Sequence, residues 1–232
     1  MRWPGRALFL AIGVAAVFFA ADLAAWNISI HLTKLANASL FGNVSSFAFA
    51  AWGLWLTRRR PAGTQAVGLL LAAAGSALLM TQSAALGADH LSGDLLALLA
   101  GILYAFYLIL VERARLTIQP IPLLVFASAV GALALLPTAI AMGERVLPHS
   151  WPPLIALAIG SQVIGQGLLV FAIGEVPPLV VALALLTQPA ISAAIGWAVY
   201  AETMGWRDWT GAAAIAAALV LVRLRPDATA PT

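Results

Sequence analysis

Long apolar runs occupy almost the whole chain, and they limit what it can fold into. A helix needs about 20 apolar residues to cross the hydrocarbon core of a bilayer. This criterion predicts an all-α, polytopic membrane helix bundle of eight transmembrane helices. The predicted spans are Ala7–Ala25, Leu35–Leu56, Ala66–Leu86, Leu95–Val111, Ile121–Met142, Leu154–Ile173, Pro177–Tyr200 and Trp209–Val222.

The composition excludes several other classes of protein. Hydrophobic residues make up 62% of the chain and charged residues 9%, whereas soluble domains carry about 25% charged residues. The helices lack the polar faces that a water-soluble bundle needs. The chain has no cysteine, and no histidine lies in a predicted span, so we predict no enzyme, no metal site and no cofactor. The net charge of +3 is spread over the chain, so we predict no nucleic-acid partner.

The positive charges predict the orientation. Nine Lys and Arg residues fall in connections on one side of the predicted membrane, and only Lys34, Arg145 and Arg207 fall on the other. The first set is Arg2, Arg6, Arg58–Arg60, Arg113, Arg115, Arg223 and Arg225. The positive-inside rule therefore predicts that both termini are cytoplasmic. The Ala-rich composition and short loops favour a multi-pass protein of a bacterial plasma (inner) membrane.

Two parts of the chain resemble each other after a shift of 143 positions. Gly53 then falls on Gly196, Gly68 on Gly211, and Ser46 on Pro189. The repeats begin five predicted spans apart, an odd number, so they have opposite orientations. Inverted repeats are typical of secondary transporters, whose halves exchange conformations around a central site.

Two groups of motifs carry a resemblance to a known family. The stretch Leu186-Thr187-Gln188-Pro189, continuing through Gly196-Trp197 and Ala201-Glu202 to Gly211, resembles the last two spans of the EamA-like transporters of the drug/metabolite transporter superfamily. The segment Phe19–Leu23 with Trp26, followed by Leu35–Ala38, resembles the family's third and fourth spans.

The resemblance implies ten spans in two inverted five-helix halves, with transport through a central cavity. The resemblance further implies that this chain begins at the third family span and lacks the first two transmembrane helices. The chain has Ser46 where a proline is usual, and Arg59 where the second repeat has Glu202. We therefore predict an incomplete first repeat of three spans over residues 1–88. A second repeat of five spans, with a short cytoplasmic tail, covers residues 89–232.

These expectations favour a secondary transporter, a permease or exporter of a small metabolite or drug-like solute that works by alternating access. The alternative is a non-transporting or truncated membrane subunit that needs a partner to complete its bundle. The predicted partners are the lipid bilayer and the solute, and the sequence also allows a homodimer.

Asp22 is the one acid predicted well inside a span. A charge near the bilayer centre costs at least about 2.5 kcal/mol and usually marks a cavity, a relay or a counter-ion. The functional interpretations are contact with a substrate amine and proton coupling. The alternative is a structural hydrogen bond, with Asp22 close enough to the helix end to reach water.

Other polar and aromatic residues in or near the spans complete the predicted substrate-binding set. Each has a plainer interpretation as interhelical packing or an interfacial anchor. With Asp22, the set comprises Trp26, Asn27, Asn43, Ser46, Tyr104, Tyr107, Gln162, Gln166, Gln188 and Pro189.

Two further groups of polar residues have simpler interpretations. Glu202 is predicted to be a cap or pairing group at a helix end. His90, with Asp89 and Asp94, is predicted to lie in a solvated loop, because no metal-ligand spacing is present.

The orientation is testable with reporter fusions. A reporter that is active only in the cytoplasm is expected to be active when fused after Arg58, Arg59 or Arg60. The same reporter fused after Lys34 is expected to be inactive, because the intervening span changes the side of the membrane. If the fusion after Lys34 is active and the fusions after Arg58, Arg59 and Arg60 are inactive, the predicted topology is wrong.

Overall fold

The computed structural model describes residues 5–58, 63–81, 88–144, 147–200 and 205–224. These residues form α-helices, a 3₁₀ turn at Ala88–His90 and a π-helical stretch at Ala158–Gly165. The α-helices are α1 (Arg6–Leu32), α2 (Leu35–Gly42), α3 (Val44–Thr57), α4 (Gly63–Thr81), α5 (Leu91–Arg115), α6 (Pro120–Ala141), α7 (Trp151–Leu157), α8 (Gln166–Ile173), α9 (Pro178–Leu185), α10 (Gln188–Tyr200) and α11 (Trp206–Leu224). The predicted all-α class is confirmed.

Four helical segments in the described part of the chain are long and apolar enough to cross a membrane. They are Leu8–Leu32, Leu91–Arg115, Pro120–Ala141 and Trp151–Ile173. The other predicted spans correspond to shorter or interrupted helices, α2 with α3, α4, α9 with α10, and α11. Several residues named above lie outside the described residues: Arg2, Arg59, Arg60, Arg145, Ala201, Glu202 and Arg225.

Helix α1 continues well beyond the predicted end of the first span. It runs to Leu32 and ends at Thr33, whose backbone is extended. Polar residues near its end bond to their own helix: Asn27 Nδ2 donates to the Leu23 carbonyl at 2.8 Å, and Ser29 Oγ donates to the Trp26 carbonyl at 2.7 Å. Because these polar groups are satisfied locally, they do not end the helix.

The helical ladder of the second predicted span is interrupted at Asn43, between α2 and α3. The Asn43 carbonyl accepts the Ser46 amide, only three residues on, at 3.0 Å. Ser45 Oγ donates to the Gly42 carbonyl at 2.9 Å. A side-chain hydroxyl therefore satisfies a backbone carbonyl at the break, as required where water is absent.

A second interruption separates α9 from α10. Thr187 Oγ1 donates to the Ala184 carbonyl at 2.6 Å, and Pro189 has no amide hydrogen to continue the ladder. This break corresponds to the break at Asn43 after the shift of 143 positions.

The limits of the helices follow the same shift. Adding 143 to both limits of α2 gives residues 178–185, which are the limits of α9. The same addition moves α4 onto residues 206–224, the limits of α11. The repeat detected in the sequence is therefore also present in the positions at which these helices begin and end.

Glycines allow the closest contacts between helices. A Cβ atom at Gly75 of α4 would lie 2.6 Å from the Gly211 carbonyl oxygen of α11, and one at Gly101 of α5 would lie 2.8 Å from the Gly42 carbonyl oxygen. Small residues at such contacts let backbones approach, which is how membrane helices gain packing energy without a hydrophobic driving force.

Arg115 joins three segments at one end of the bundle. Its Nε donates to the Val170 carbonyl of α8 at 3.0 Å, its guanidinium donates to the Ile118 carbonyl at 2.6 Å, and it pairs with Glu175 at 3.4 Å. The guanidinium lies beyond the last turns of both α5 and α8, where a cation is favourable.

Helix α7 and the π-helical stretch are much less covered than the other long helices. Every residue from Trp151 to Ser161 is exposed. By contrast, α1 lies between α5 and α6 and buries residues such as Ala16 and Phe19. Under the shift of 143 positions α1 corresponds to this exposed segment, so two equivalent helices have unequal surroundings.

The contact of α4 with α11 is testable with one small substitution. Gly75→Ala is expected to lower the free energy of unfolding by about 1–3 kcal/mol, because its Cβ meets a backbone carbonyl that cannot rotate away. Gly13→Ala is the matched control, since nothing lies within 4 Å of a Cβ at that position. Thermal unfolding in detergent, followed by the helical circular dichroism signal, measures both. Equal midpoints for the two variants would contradict the proposed close contact.

Candidate functional site

Asp22 lies well inside α1, ten residues before the helix ends at Leu32. The side chain is 9% exposed. Among the described residues, none donates a hydrogen bond to this carboxylate or forms an ion pair with it. The longer helix places Asp22 farther from the helix end than the sequence predicted. The carboxylate is therefore a buried acceptor without a partner from the described part of the chain.

Three aromatic rings pack together at the contact of α1 with α5, and one of them belongs to Phe19, three residues before Asp22. Phe19 stacks on Tyr107 with ring centroids 4.7 Å apart, and Tyr107 stacks on Tyr104 at 5.7 Å. Tyr107 is fully buried, whereas Tyr104 is half-buried. Tyr104 is also close enough to Asp22 for the two groups to interact electrostatically. We call Asp22, Phe19, Tyr104 and Tyr107, together with Gln166 below, the Asp22 cluster.

The π-helical stretch brings polar groups towards two other helices. Gln162 Nε2 donates to Ser128 Oγ of α6 at 3.0 Å. Gln166, at the start of α8, has its side chain close to the Tyr104 phenol. Its Oε1 atom is buried and accepts no hydrogen bond. Segments of π-helix are frequent at functional sites, and this one extends to the residue before Gln166.

The remaining predicted residues on α1, α2 and α3 lie around the break at Asn43. The Trp26 ring packs against Gly42, since a Cβ there would lie 2.7 Å from a ring carbon. Ser46 is buried and Asn43 is half-buried, whereas Asn27 is exposed. The structure therefore places the Trp26 ring against the helix break.

Gln188 and Pro189 lie at the start of α10. Gln188 is exposed and Pro189 is half-buried. Their predicted role in substrate binding stays a prediction.

The prediction that Asp94 lies in a solvated loop is wrong. Asp94 is 7% exposed and belongs to the first turn of α5. Its Oδ1 accepts the Thr33 hydroxyl at 2.6 Å and the Asn37 amide at 3.1 Å. Two signals in the sequence could have revealed this burial. Asp94 lies in the first turn of a helix, and its donors Thr33 and Asn37 are four residues apart in the sequence. Asp94 thus connects the end of α1, the start of α2 and α5.

The described residues contain no group of three or more His, Asp or Glu side chains able to hold a metal ion. A groove of about 530 Å³ lies between α1 and α6, lined by Phe9, Leu10, Gly13, Val14, Val17, Phe18, Phe126 and Val130. The groove has none of the polar groups that orient a solute. The Asp22 cluster is therefore the better candidate site.

A comparison with known families decides the identity of the fold. The sequence profile of the EamA-like transporter family matches residues 91–224, more than half of the chain. The chain belongs to the EamA-like transporter family. The resemblance predicted from the motifs is confirmed, including the drug/metabolite transporter superfamily. EamA-like proteins are membrane transporters and typically not enzymes, and the apolar helices here make this chain a multi-pass membrane protein.

The fold of this EamA-like chain is also found in a solved crystal structure, described only as a crystal structure of a protein. The two share 15% sequence identity with a TM-score of 0.72, over 94% of this chain and 89% of the other. At this identity the similarity shows the fold alone. No curated protein matches the chain.

The chemistry available in the Asp22 cluster is that of binding. The cluster offers a carboxylate, an amide oxygen and aromatic rings. Such groups can hold and orient a solute, or exchange a proton at the carboxylate.

The Asp94 contact is testable by an isosteric change. Thr33→Val removes a hydrogen bond to a buried carboxylate, and the expected loss of stability is about 1.5–3 kcal/mol. Thr57→Val is the matched control, because the exposed Thr57 hydroxyl bonds only to carbonyls of its own helix. Thermal unfolding in detergent measures both variants. A control as unstable as Thr33→Val would remove the special role assigned to the Asp94 contact.

Proposed function

We propose that this EamA-like chain is a secondary transporter, a permease or exporter that moves a small metabolite or drug-like solute across the plasma membrane by alternating access. The observation that carries the proposal is the Asp22 cluster. A carboxylate without a partner inside a membrane helix is costly, and such residues usually mark substrate or ion pathways.

The architecture in this proposal consists of eight spans arranged as inverted repeats. Residues 1–88 belong to the first repeat, and residues 89–232 belong to the second. The recurrence of helix limits after 143 positions supports this division. Oppositely oriented repeats can exchange conformations around one central site, which gives alternating access.

The contacts at helix ends support the proposed topology. The Arg113 guanidinium lies 4.7 Å from the centre of the Trp52 ring, so the ends of α3 and α5 are neighbours. A Cβ at Gly93, near the start of α5, would lie 2.7 Å from the backbone of Leu32 and Thr33, at the end of α1. Helices α1 and α5 are therefore antiparallel, as an odd number of intervening connections requires. We place both termini in the cytoplasm of a bacterium.

The transport proposal is tested by counterflow in liposomes. The purified chain is reconstituted in vesicles loaded with radiolabelled amines, amino acids, sugars or nucleosides in separate experiments. We expect exchange of at least one class. We also expect Asp22→Asn to reduce that exchange by about tenfold or more, because the substitution removes the charge of the site.

Asp89→Asn is the matched control for Asp22→Asn. Asp89 is exposed in the 3₁₀ turn before α5, so its loss of charge should leave exchange unchanged. Equal exchange by wild type and Asp22→Asn would contradict the role of Asp22. No exchange of any class would contradict transport by this chain alone.

A second candidate function is that of a membrane subunit that needs a partner to complete its bundle. The exposed side chains from Trp151 to Ser161 favour it. Helix α1 packs against α5 and α6, whereas the corresponding segment of the second repeat contacts these two helices mainly through α8 and leaves α7 exposed. Two partners would bury these exposed side chains: a second copy of the chain, forming a homodimer, or another membrane protein. The same liposomes separate the candidates, because such a subunit should move nothing alone.

A further inference from the structure

We infer that the surface at which α3 and α5 end binds the headgroup of an anionic phospholipid. The surface consists of Trp52 and Trp55 of α3, Arg58 directly after α3, and Arg113 of α5, and we call it the arginine–tryptophan surface. Lipid binding here goes beyond the proposed transport function and does not depend on it.

Arg113 and the two tryptophans form a continuous set of contacts. The Arg113 guanidinium carbon lies 4.7 Å from the centre of the Trp52 ring, and the centroids of the Trp52 and Trp55 rings are 5.0 Å apart. A guanidinium over an indole face is attracted by the ring quadrupole. Arg113 is exposed and forms no ion pair with a described residue. The indole therefore holds a guanidinium whose charge is not used within the described part of the protein.

Arg58 belongs to the same surface because of the way α3 ends. Its backbone is left-handed, with a φ of 52°, and its amide donates to the Trp55 carbonyl at 3.1 Å. This conformation is uncommon for a residue other than glycine, and it ends the helix after Thr57. Arg58 is exposed, and among the described side chains none forms an ion pair with it. The surface thus carries a second guanidinium without a counter-ion from the described chain.

Two neighbouring charged residues are engaged elsewhere. The Trp52 Nε1 atom donates to Glu112 Oε2 at 3.4 Å, so this carboxylate is satisfied by the indole. Arg115 donates to the carbonyls of Val170 and Ile118 and pairs with Glu175, as described above. The surface therefore has two arginines beside one acid, and a phosphodiester with a single negative charge would balance the excess.

A lipid fits this surface better than a soluble anion does. Tryptophan and arginine at the ends of apolar helices are typical of the headgroup level of a bilayer. A guanidinium binds the oxygens of a phosphate in a fork of two hydrogen bonds. The Trp55 side chain is 66% exposed, so its ring can pack against the glycerol backbone and the first acyl carbons of the same molecule. Free phosphate would gain the charge contacts without this packing.

The test compares two lipids with the same acyl chains, phosphatidylglycerol and phosphatidylcholine. Each is added to the purified full chain in detergent, and bound lipid is measured by native mass spectrometry. The thermal unfolding midpoint is followed in parallel. We expect phosphatidylglycerol to bind at least about tenfold more tightly, because two arginines meet its net negative charge. Inorganic phosphate at the same concentration is expected to leave the midpoint unchanged.

Substitutions assign the preference to single residues. Arg58→Gln and Arg113→Gln should each weaken the binding of phosphatidylglycerol about fivefold and leave that of phosphatidylcholine unchanged. Trp52→Leu removes the ring that holds Arg113, so Arg113→Gln should have a smaller effect in a Trp52→Leu background than in the wild type. Thermal unfolding midpoints ensure that only folded variants are compared.

Arg207→Gln is the matched control. The Arg207 guanidinium also lies near an indole, that of Trp206 at 5.5 Å, but at the start of α11 rather than at the ends of α3 and α5. Arg207 is followed directly by Asp208, so this second pair of arginine and tryptophan has no excess of positive charge. Its substitution should change the affinity for phosphatidylglycerol less than twofold.

Four results would overturn the inference. The first is equal binding of the two lipids to the wild type, and the second is full preference for phosphatidylglycerol in folded Arg58→Gln and Arg113→Gln. A loss in Arg207→Gln as large as that in Arg113→Gln would show attraction to charge in general. Stabilisation by inorganic phosphate equal to that by phosphatidylglycerol would show a site for a soluble anion. Because lipid binding is measured without a solute, the result does not depend on whether the chain transports.

Discussion

The need to satisfy every backbone polar group without water is the constraint on which the whole structure depends. An unpaired amide or carbonyl in hydrocarbon costs several kcal/mol, so a spanning chain must be helical almost throughout. Where the helical hydrogen-bond ladder is interrupted, side-chain hydroxyls donate to backbone carbonyls near the break. Ser45 donates to the Gly42 carbonyl, and Thr187 donates to the Ala184 carbonyl. The two breaks lie at corresponding positions of the repeats, so the same local solution occurs twice.

Lipid also changes what holds the helices together. Apolar side chains gain little by leaving lipid for a protein interior, so close backbone contacts and polar pairs matter more. The approach of Gly75 to the Gly211 carbonyl is an example of the first. The contacts of Asp94 with Thr33 and Asn37 are an example of the second. A few polar residues therefore matter for both stability and function. The buried acids Asp94 and Asp22 differ in their hydrogen-bond donors. Asp94 has its donors within the protein, whereas Asp22 has none among the described residues.

That difference separates a structural acid from a candidate binding acid. Asp94 is satisfied by neighbours on α1 and α2, so a ligand would have to displace existing hydrogen bonds. Asp22 lies on the helix that packs against Tyr104 and Tyr107, and no described residue donates a hydrogen bond to its carboxylate. A ligand there would add interactions without removing any. The composition alone treats the two aspartates alike, and only their surroundings distinguish them.

The sequence by itself determined the class of fold and the family. Apolar runs as long as a bilayer is thick, few charges and a repeat at 143 positions can be recognised without coordinates, because they reflect the solvent and the internal symmetry of the chain. The sequence also pointed to Asp22, since an acid in an apolar run is conspicuous. It could not show that α1 continues to Leu32, because Asn27 and Ser29 look like helix-ending residues until their bonds to their own backbone are seen. Only the tertiary structure decided that Asp94 is buried, that Gln166 reaches Tyr104, and that Asp22 lacks a donor. The first two of these depend on contacts between residues about 60 positions apart in the sequence. Such pairing depends on how helices pack, which the pattern within a single helix does not contain.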